Sequence, residues 1–345
     1  MTSGYFSSSY REDMIIFRTG WIRVWMLLFL VFLLFIPLML PSHNLYLLNM
    51  CGITIISAMG LNLLTGYTGQ ISMAQSAFMG IGAYTSVLLG LKGIPFWITF
   101  PTAGLVAGLF GFVLGFPSLR LKGMYLIMST MAFEVIIEYV IMQWESLTKG
   151  PTGLDAPHPK LGSLIFDSDV SYYYMILTLL ILALLFMKNL VRSKVGRAFV
   201  AIRDHDVAAK MIGISLTKYK LMAFVISSVF AGIAGALYGY YIHHFDPEQF
   251  NMMISIEYLA IVIIGGMGTI VGTIFGALFM MLTPEILRIV MEGIGLGTFI
   301  SSVFFQVKAG FFGLMIIVFL LWEPGGLFAL WGKVKQFFRI WPYHY

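Results

Sequence analysis

One cysteine, Cys51, is the only thiol in the chain, so no disulfide can form within it. No serine sits in a nucleophile elbow, and Cys51 has no plausible histidine partner, which removes the common arrangements for nucleophilic catalysis. A Gly-x-x-x-x-Gly-Lys-Ser/Thr loop is absent, so the chain itself lacks the usual phosphate cradle for ATP. Charge is scarce as well: 11% of the residues are Asp, Glu, Lys or Arg, against about a quarter in soluble domains. The net charge of +5 comes without a basic stripe carrying interleaved aromatics, so nucleic acid is not an expected partner.

What the chain has in abundance is hydrocarbon. Of its 345 residues 59% are hydrophobic, and mean hydropathy is +0.90. Runs of roughly 20 apolar residues, the length that crosses a bilayer, fall at 24–41, 46–64, 77–91, 98–116, 124–144, 172–190, 220–241, 255–270, 271–291 and 305–322. The expected fold is therefore an all-α polytopic transmembrane helix bundle of about ten spans forming a single domain over 1–345. Gly265-Gly266-Met267-Gly268 interrupts one run early, so eight spans with re-entrant segments is the alternative. Met1–Tyr10 lacks a basic start, and no small-residue cleavage site closes the first apolar run, so a cleaved signal peptide is not expected.

Lys and Arg of short loops favour the cytoplasm. With an inside N-terminus, sixteen basic residues fall inside, and five, Lys92, Lys149, Lys160, Arg288 and Lys308, fall outside. That asymmetry predicts both termini in the cytoplasm. Seven of the sixteen lie in one island: Arg192, Lys194, Arg197, Arg203, Lys210, Lys218 and Lys220. This makes 191–220 a cytoplasmic loop. Within it, Asp204 to Gly213 reads as a short helix with two adjacent alanines, Ala208 and Ala209. Small residues let another backbone come close, Asp204 and Asp206 would orient it, and Gly213 would turn the chain back towards the membrane.

A second polar segment runs from Gly66 to Phe78, where Tyr67, Gln70, Ser72 and Gln75 replace the aliphatics of a lipid-facing helix. Broken backbone at membrane depth is tolerated where it is buried in protein or lines a wet cavity. Two readings stand: the lining of a translocation path, or a cytoplasmic turn between two helices. Intramembrane acids are costly enough to count as functional candidates. Glu134 and Glu138 lie one turn apart in the fifth run, and Glu257 lies near the start of the eighth. They would form a polar wall, or hydrogen-bond neighbouring hydroxyls, or, for Glu257, sit at the headgroups. Glycines at four-residue spacing, as in Gly104/Gly108, Gly111/Gly115, Gly235/Gly239 and Gly268/Gly272/Gly276, permit close helix packing. His243 and His244, with Asp246 nearby, are adjacent and diverge on a helix, so they read as an exposed loop before they read as metal ligands.

Taken in order, several segments resemble a known family. They are Gly60-Leu-Asn-Leu-Leu-Thr-Gly-Tyr-Thr-Gly-Gln-Ile-Ser72, Phe78-Met-Gly-Ile-Gly-Ala-Tyr84, Leu119-Arg-Leu-Lys-Gly-Met-Tyr125, Leu147-Thr-Lys-Gly-Pro-Thr-Gly-Leu154, Gly196-Arg-Ala198, Ser255-Ile-Glu257, Gly265-Gly-Met-Gly-Thr269 and Pro324-Gly-Gly-Leu327. The set is similar to that of the LivM-type permease subunits of bacterial ABC importers for branched-chain amino acids. The resemblance implies a multi-pass subunit of the bacterial cytoplasmic (inner) membrane without covalent chemistry or cofactor. Its partners would be a second permease of similar fold, two cytoplasmic ATPase subunits, an extracytoplasmic binding protein and the membrane lipid. The family's loop carries Glu-Ala-Ala-x-x-x-Gly; here Ala208, Ala209 and Gly213 fit, Val207 takes the Glu position, and Asp206 supplies the acid one residue earlier. Glu134 directly follows Phe133, and Glu138 stands where a basic residue is common in the family.

Three readings remain open at this level. One is the importer permease for branched-chain amino acids; another is the same machine carrying urea or short amides; the last is a stand-alone channel or secondary transporter. Secondary transporters often show inverted repeats, and no clear repeat emerges here.

Overall fold

The structure, a computed structural model, describes residues 20–161, 164–293, 297–323 and 325–340. Met1–Tyr10, Arg11, Arg18 and Pro324 lie outside them, as do the side chains of Arg23, Lys160, Lys308 and Arg339. The helices are α1 (Gly20–Met39), α2 (Ser42–Asn62), α3 (Gln75–Leu91), α4 (Phe96–Ser118), α5 (Met124–Gln143), α6 (Glu145–Thr148), α7 (Asp169–Arg192), α8 (Lys194–Asp204), α9 (Asp206–Met211), α10 (Leu216–Ile242), α11 (Met252–Gly265), α12 (Ile270–Gly293), α13 (Gly297–Trp322) and α14 (Gly326–Ile340). The chain divides into two compact units at Tyr46/Leu47. The first contains α1, whose Trp25, Leu28, Phe32 and Phe35 are exposed.

Among the described residues seven helices are long and apolar enough to cross a membrane, and an eighth results if the pair Gly310–Trp322 and Gly326–Phe337, bent by 51°, counts as one. The run expected at 77–91 is α3, of 17 residues. At 1.5 Å per residue it spans about 25 Å, short of the ~30 Å hydrocarbon core. The run expected at 255–270 is α11, of 14 residues, which with the preceding 3₁₀ turn at Pro247–Phe250 makes Pro247–Gly265, 19 residues and one of the seven. α3 adjoins the irregular backbone before Gln75, and there counting apolar residues overstated the reach.

The core of the larger unit is the trio α3, α4 and α10. Glycine makes it possible: a Cβ at Gly82 would collide with the Gly232 backbone, and one at Gly235 with the Met79 carbonyl. Along α4, Gly104 and Gly108 face Ile233 and Val229, and Gly111 and Gly115 face Ser228 and Leu221. The opposite side of α4 leaves Leu105, Leu109, Phe112, Val113 and Phe116 exposed. An apolar face turned outwards alongside a tightly packed inner face is the pattern of a lipid-embedded helix, since lipid and not water is its solvent.

At one end of the bundle the Leu154–Asp155 strand (β1) pairs with His244–Phe245 (β4), and Lys160–Leu161 (β2) pairs with Leu164–Ile165 (β3). His243 closes α10 with φ +63. His244 Nδ1 lies 2.8 Å from Asp155 Oδ1. The two histidines thus serve separate contacts, His243 stacking edge-on with His158 and Tyr172.

Candidate functional site

The break between α2 and α3 is the first component of the site. α2 ends in a π-helical turn, Leu63–Tyr67, and the chain then runs irregularly to Gln75. Its polar side chains find partners within the protein. Thr68 Oγ1 donates to Leu64 O at 2.5 Å, Gln70 N to the same carbonyl at 3.0 Å, and Gln70 Nε2 to Thr68 Oγ1 at 3.2 Å. Ser72 Oγ accepts from Ala74 N at 3.3 Å, and Met73 N donates to Thr130 Oγ1 at 2.9 Å. Gln75 Nε2 donates to Ser57 O and Oγ at 2.9 and 2.8 Å. Tyr67 is buried with the rest of the π turn. The break is a buttressed element, with Thr68, Gln70, Ser72 and Gln75 each hydrogen-bonded to a named partner.

Glu134 belongs to the same buttress. It is 0% exposed. Its carboxyl accepts from Ala77 N at 3.0 Å, from Ser255 Oγ at 3.3 Å and from Ser76 Oγ. Ser76 N in turn donates to Ser255 Oγ at 2.9 Å. An acid from α5 therefore caps the first turn of α3 and binds it to α11. Backbone N–H groups there have no partner within their own helix, and a carboxylate suits the positive end of the helix dipole.

On the other side of the break the family-like segments meet. Asn62 Nδ2 donates to Thr269 O at 2.9 Å and Thr273 Oγ1 at 2.8 Å, while Gly268 N donates to Asn62 Oδ1 at 2.8 Å. A side chain on Gly66 would strike Asn62 Oδ1 and Gly268 N. Gly266, at φ +115, packs against Gly325 O, so the Gly265–Thr269 and Gly325–Leu327 segments are also neighbours. Stretches some 200 residues apart in sequence thus converge at one end of the bundle.

The polar island folds onto that end. Ser193 caps α8, accepting from Val195 N at 3.1 Å and Gly196 N at 3.4 Å. Ala198, Phe199 and Ile202 are buried. α8 is unexpected from the apolar runs, although Val195, Ala198, Phe199 and Ile202 stand at i, i+3, i+4 and i+7, the pattern of an amphipathic helix. Arg203 at its end donates from Nη1 to Gly66 O at 3.0 Å and from Nε and Nη2 to Asp204 Oδ1, each at 3.1 Å.

α9 then presents Val207, Ala208, Met211 and Ile212 outwards, with Met211 82% and Ile212 75% exposed. Ala209 is 2% exposed; its smallness serves packing within this chain. Asp206 meets Lys122 at 2.5 Å and Lys220 at 3.8 Å. The hydrogen bond from Lys122 holds its carboxyl below the usual range, and the Lys220 charge adds to that. Gly213, φ +87, ends the helix in a Schellman turn: Gly213 N donates to Lys210 O at 3.1 Å and Ile214 N to Ala209 O at 3.0 Å.

The third component is a cavity of about 150 Å³ between α2, α3, α10, α11 and α12. Ile53, Met79, Phe250, Ile254 and Met281 line it, together with Glu257. Of the residues singled out in the sequence, Glu257 alone reaches this cavity; Tyr67, Gln70, Ser72, Gln75 and Glu134 gather around the break.

A bundle of apolar helices with a buttressed break and a folded polar loop at one end defines the class: a multi-pass membrane protein. Residues 44–321 match the family described as "Branched-chain amino acid transport system / permease component", and the chain belongs to it. It is 33% identical over 88% of its length, and 75% of theirs, to the high-affinity branched-chain amino acid transport system permease proteins LivM of Salmonella typhimurium and of Escherichia coli K12. It is 25% identical to the probable branched-chain amino acid transport permease protein LivH of Methanocaldococcus jannaschii, over 82% of this chain and 90% of that one. No solved structure matches it.

Proposed function

We propose that the chain is one permease subunit of an ATP-driven ABC importer for branched-chain amino acids in the bacterial cytoplasmic membrane. The observation that carries this beyond family membership is the exposed apolar crown of α9, Val207, Ala208, Met211 and Ile212, standing on a loop fixed to the bundle by Asp206 and Arg203. Large apolar side chains held outwards on a rigid polar loop are a protein-docking surface. Its occupant in this reading is one of two cytoplasmic ATPase subunits. A second permease of similar fold completes the membrane part, and an extracytoplasmic binding protein delivers cargo to the other end.

In this reading residues 1–345 act as one permease domain, with 191–220 as its coupling loop, and neither catalysis nor a cofactor resides in it. Ten spans, as the apolar runs of the sequence suggest, would return the chain to the side where it began, and the sixteen-to-five basic asymmetry supports both termini in the cytoplasm. Tyr67, Gln70, Ser72, Gln75 and Glu134 hold the wall of the path, and Glu257 faces into it. A tagged chain should co-purify its ATPase subunits. Met211→Asp and Ile212→Asp should release them while leaving the pairing with the second permease intact. Unchanged co-purification by both variants would remove α9 as the docking element.

A further inference from the structure

The cavity beside Glu257 differs in chemistry from the rest of the bundle. Its walls are aliphatic, thioether and aromatic: Ile53, Met79, Phe250, Ile254, Ile261 and Met281. At about 150 Å³ it matches the size at which an apolar protein cavity takes up a benzene-sized guest. It is much smaller than the ~300–1,000 Å³ of drug-sized sites. A branched side chain of four carbons with its Cα falls within that volume.

Set in this apolar wall are one acid and a few polar groups. Glu257 supplies the acid, two residues beyond Ser255, so α11 aims its two polar positions differently: Ser255 towards Glu134, and Glu257 towards the cavity. The two acids therefore stand in different places: Glu134 with Ser76, Ala77 and Ser255, and Glu257 on the cavity wall. Gln249 also lines the cavity, and Tyr238 OH donates to its Oε1 at 3.1 Å, which leaves the Gln249 amide nitrogen as a donor. A carboxylate and an amide donor set in one wall of otherwise hydrocarbon character offer partners for the three chemistries that an aliphatic α-amino acid presents: ammonium, carboxylate and branched side chain.

We propose that this cavity is an intramembrane subsite for the cargo, with Glu257 accepting from the α-ammonium, the Gln249 amide donating to the carboxylate, and Ile53, Met79, Ile254 and Met281 enclosing the branched side chain. The proposal rests on the importer reading and deepens it. It gives the permease a selectivity of its own, against solutes such as urea that bring no hydrocarbon to the pocket.

The test is equilibrium binding of labelled leucine to the purified complex of both permeases and both ATPases, without binding protein, alongside leucine uptake by the complete system. Wild type should bind leucine saturably and reject both urea and 2-hydroxy-4-methylpentanoate, which keeps the side chain and replaces the ammonium by a hydroxyl. Glu257→Gln should weaken leucine binding by about tenfold or more, the scale of one lost charged hydrogen bond, and should erase the preference for leucine over the hydroxy acid. Glu257→Asp should restore part of both. A purely structural glutamate would leave that preference unmoved. If wild type transports leucine but binds none without the binding protein, or if Glu257→Gln keeps affinity and preference, the subsite falls and the importer stands. If wild type transports urea and not leucine, the branched-chain reading itself falls.

Discussion

Arg203 donates a hydrogen bond from Nη1 to the carbonyl of Gly66 at 3.0 Å, joining the last turn of α8 to the π turn that ends α2. Through this contact the polar loop touches the break in the membrane helices without an intermediary. Asp204 holds the same guanidinium from the other side. If α9 docks an ATPase subunit as proposed, this contact is the route by which a push on α9 would reach the α2–α3 break through α8.

Arg203→Ala should leave insertion, pairing and ATPase docking intact while lowering the solute moved per ATP hydrolysed severalfold. Arg203→Lys should rescue little, because a single ammonium cannot reproduce the planar fork that serves Gly66 and Asp204 together. The check is the ratio of uptake to ATP hydrolysis in proteoliposomes. An unchanged ratio in Arg203→Ala would show that the contact transmits nothing.

Ala208 and Ala209 should behave differently despite being adjacent. Ala208 is exposed, so Ala208→Trp should weaken ATPase docking through overpacking of about 1–3 kcal/mol, and leave the loop itself folded. Ala209 is buried within the chain, so Ala209→Trp should disrupt the loop even without ATPases. Limited proteolysis of the isolated permease pair separates the two: faster cleavage within 191–220 is expected for Ala209→Trp only. Equal cleavage of both variants would contradict the burial difference.

Glu134→Ala would leave the Ala77 N–H without its acceptor in a buried setting, while the Ser76 and Ser255 hydroxyls keep Asn251 O and each other. One such group costs about 1–3 kcal/mol, so a lowered Tm of the assembled complex is expected. Glu134→Gln keeps a carbonyl acceptor and should lose less. An unaltered Tm with abolished uptake would instead place Glu134 on the solute path.

Cysteine labelling tests the orientation against a quiet background, since Cys51 is buried. Asp204→Cys should react only from the cytoplasmic side and Asp155→Cys only from outside. Labelling of Asp204→Cys from outside intact cells would reverse the topology.

Much of this arrangement was legible in the sequence at the level of segments. The helices follow the apolar runs, and Gly213 sits in the left-handed turn that its position after Ala209 suggested. What the sequence could not show was which polar groups would meet. Arg203 counted only as one more basic residue, because its partner, the Gly66 carbonyl, is a backbone atom 137 residues away. Asp206 read as part of a docking surface, whereas Lys122 and Lys220 engage it. Glu134 and Glu257 looked equivalent as intramembrane acids; Ser76 and Ser255 distinguish them, and hydroxyl positions in helices carry no periodic signal.

The central claim is that this chain moves its solute only as part of an ATP-driven assembly. Leucine uptake into proteoliposomes containing both permeases and the ATPases, supplied with binding protein, measures it directly. Uptake should require ATP, should vanish when this chain is omitted, and should persist when ion gradients are collapsed. Leucine uptake by this chain alone, driven by an ion gradient and indifferent to ATP, would contradict it.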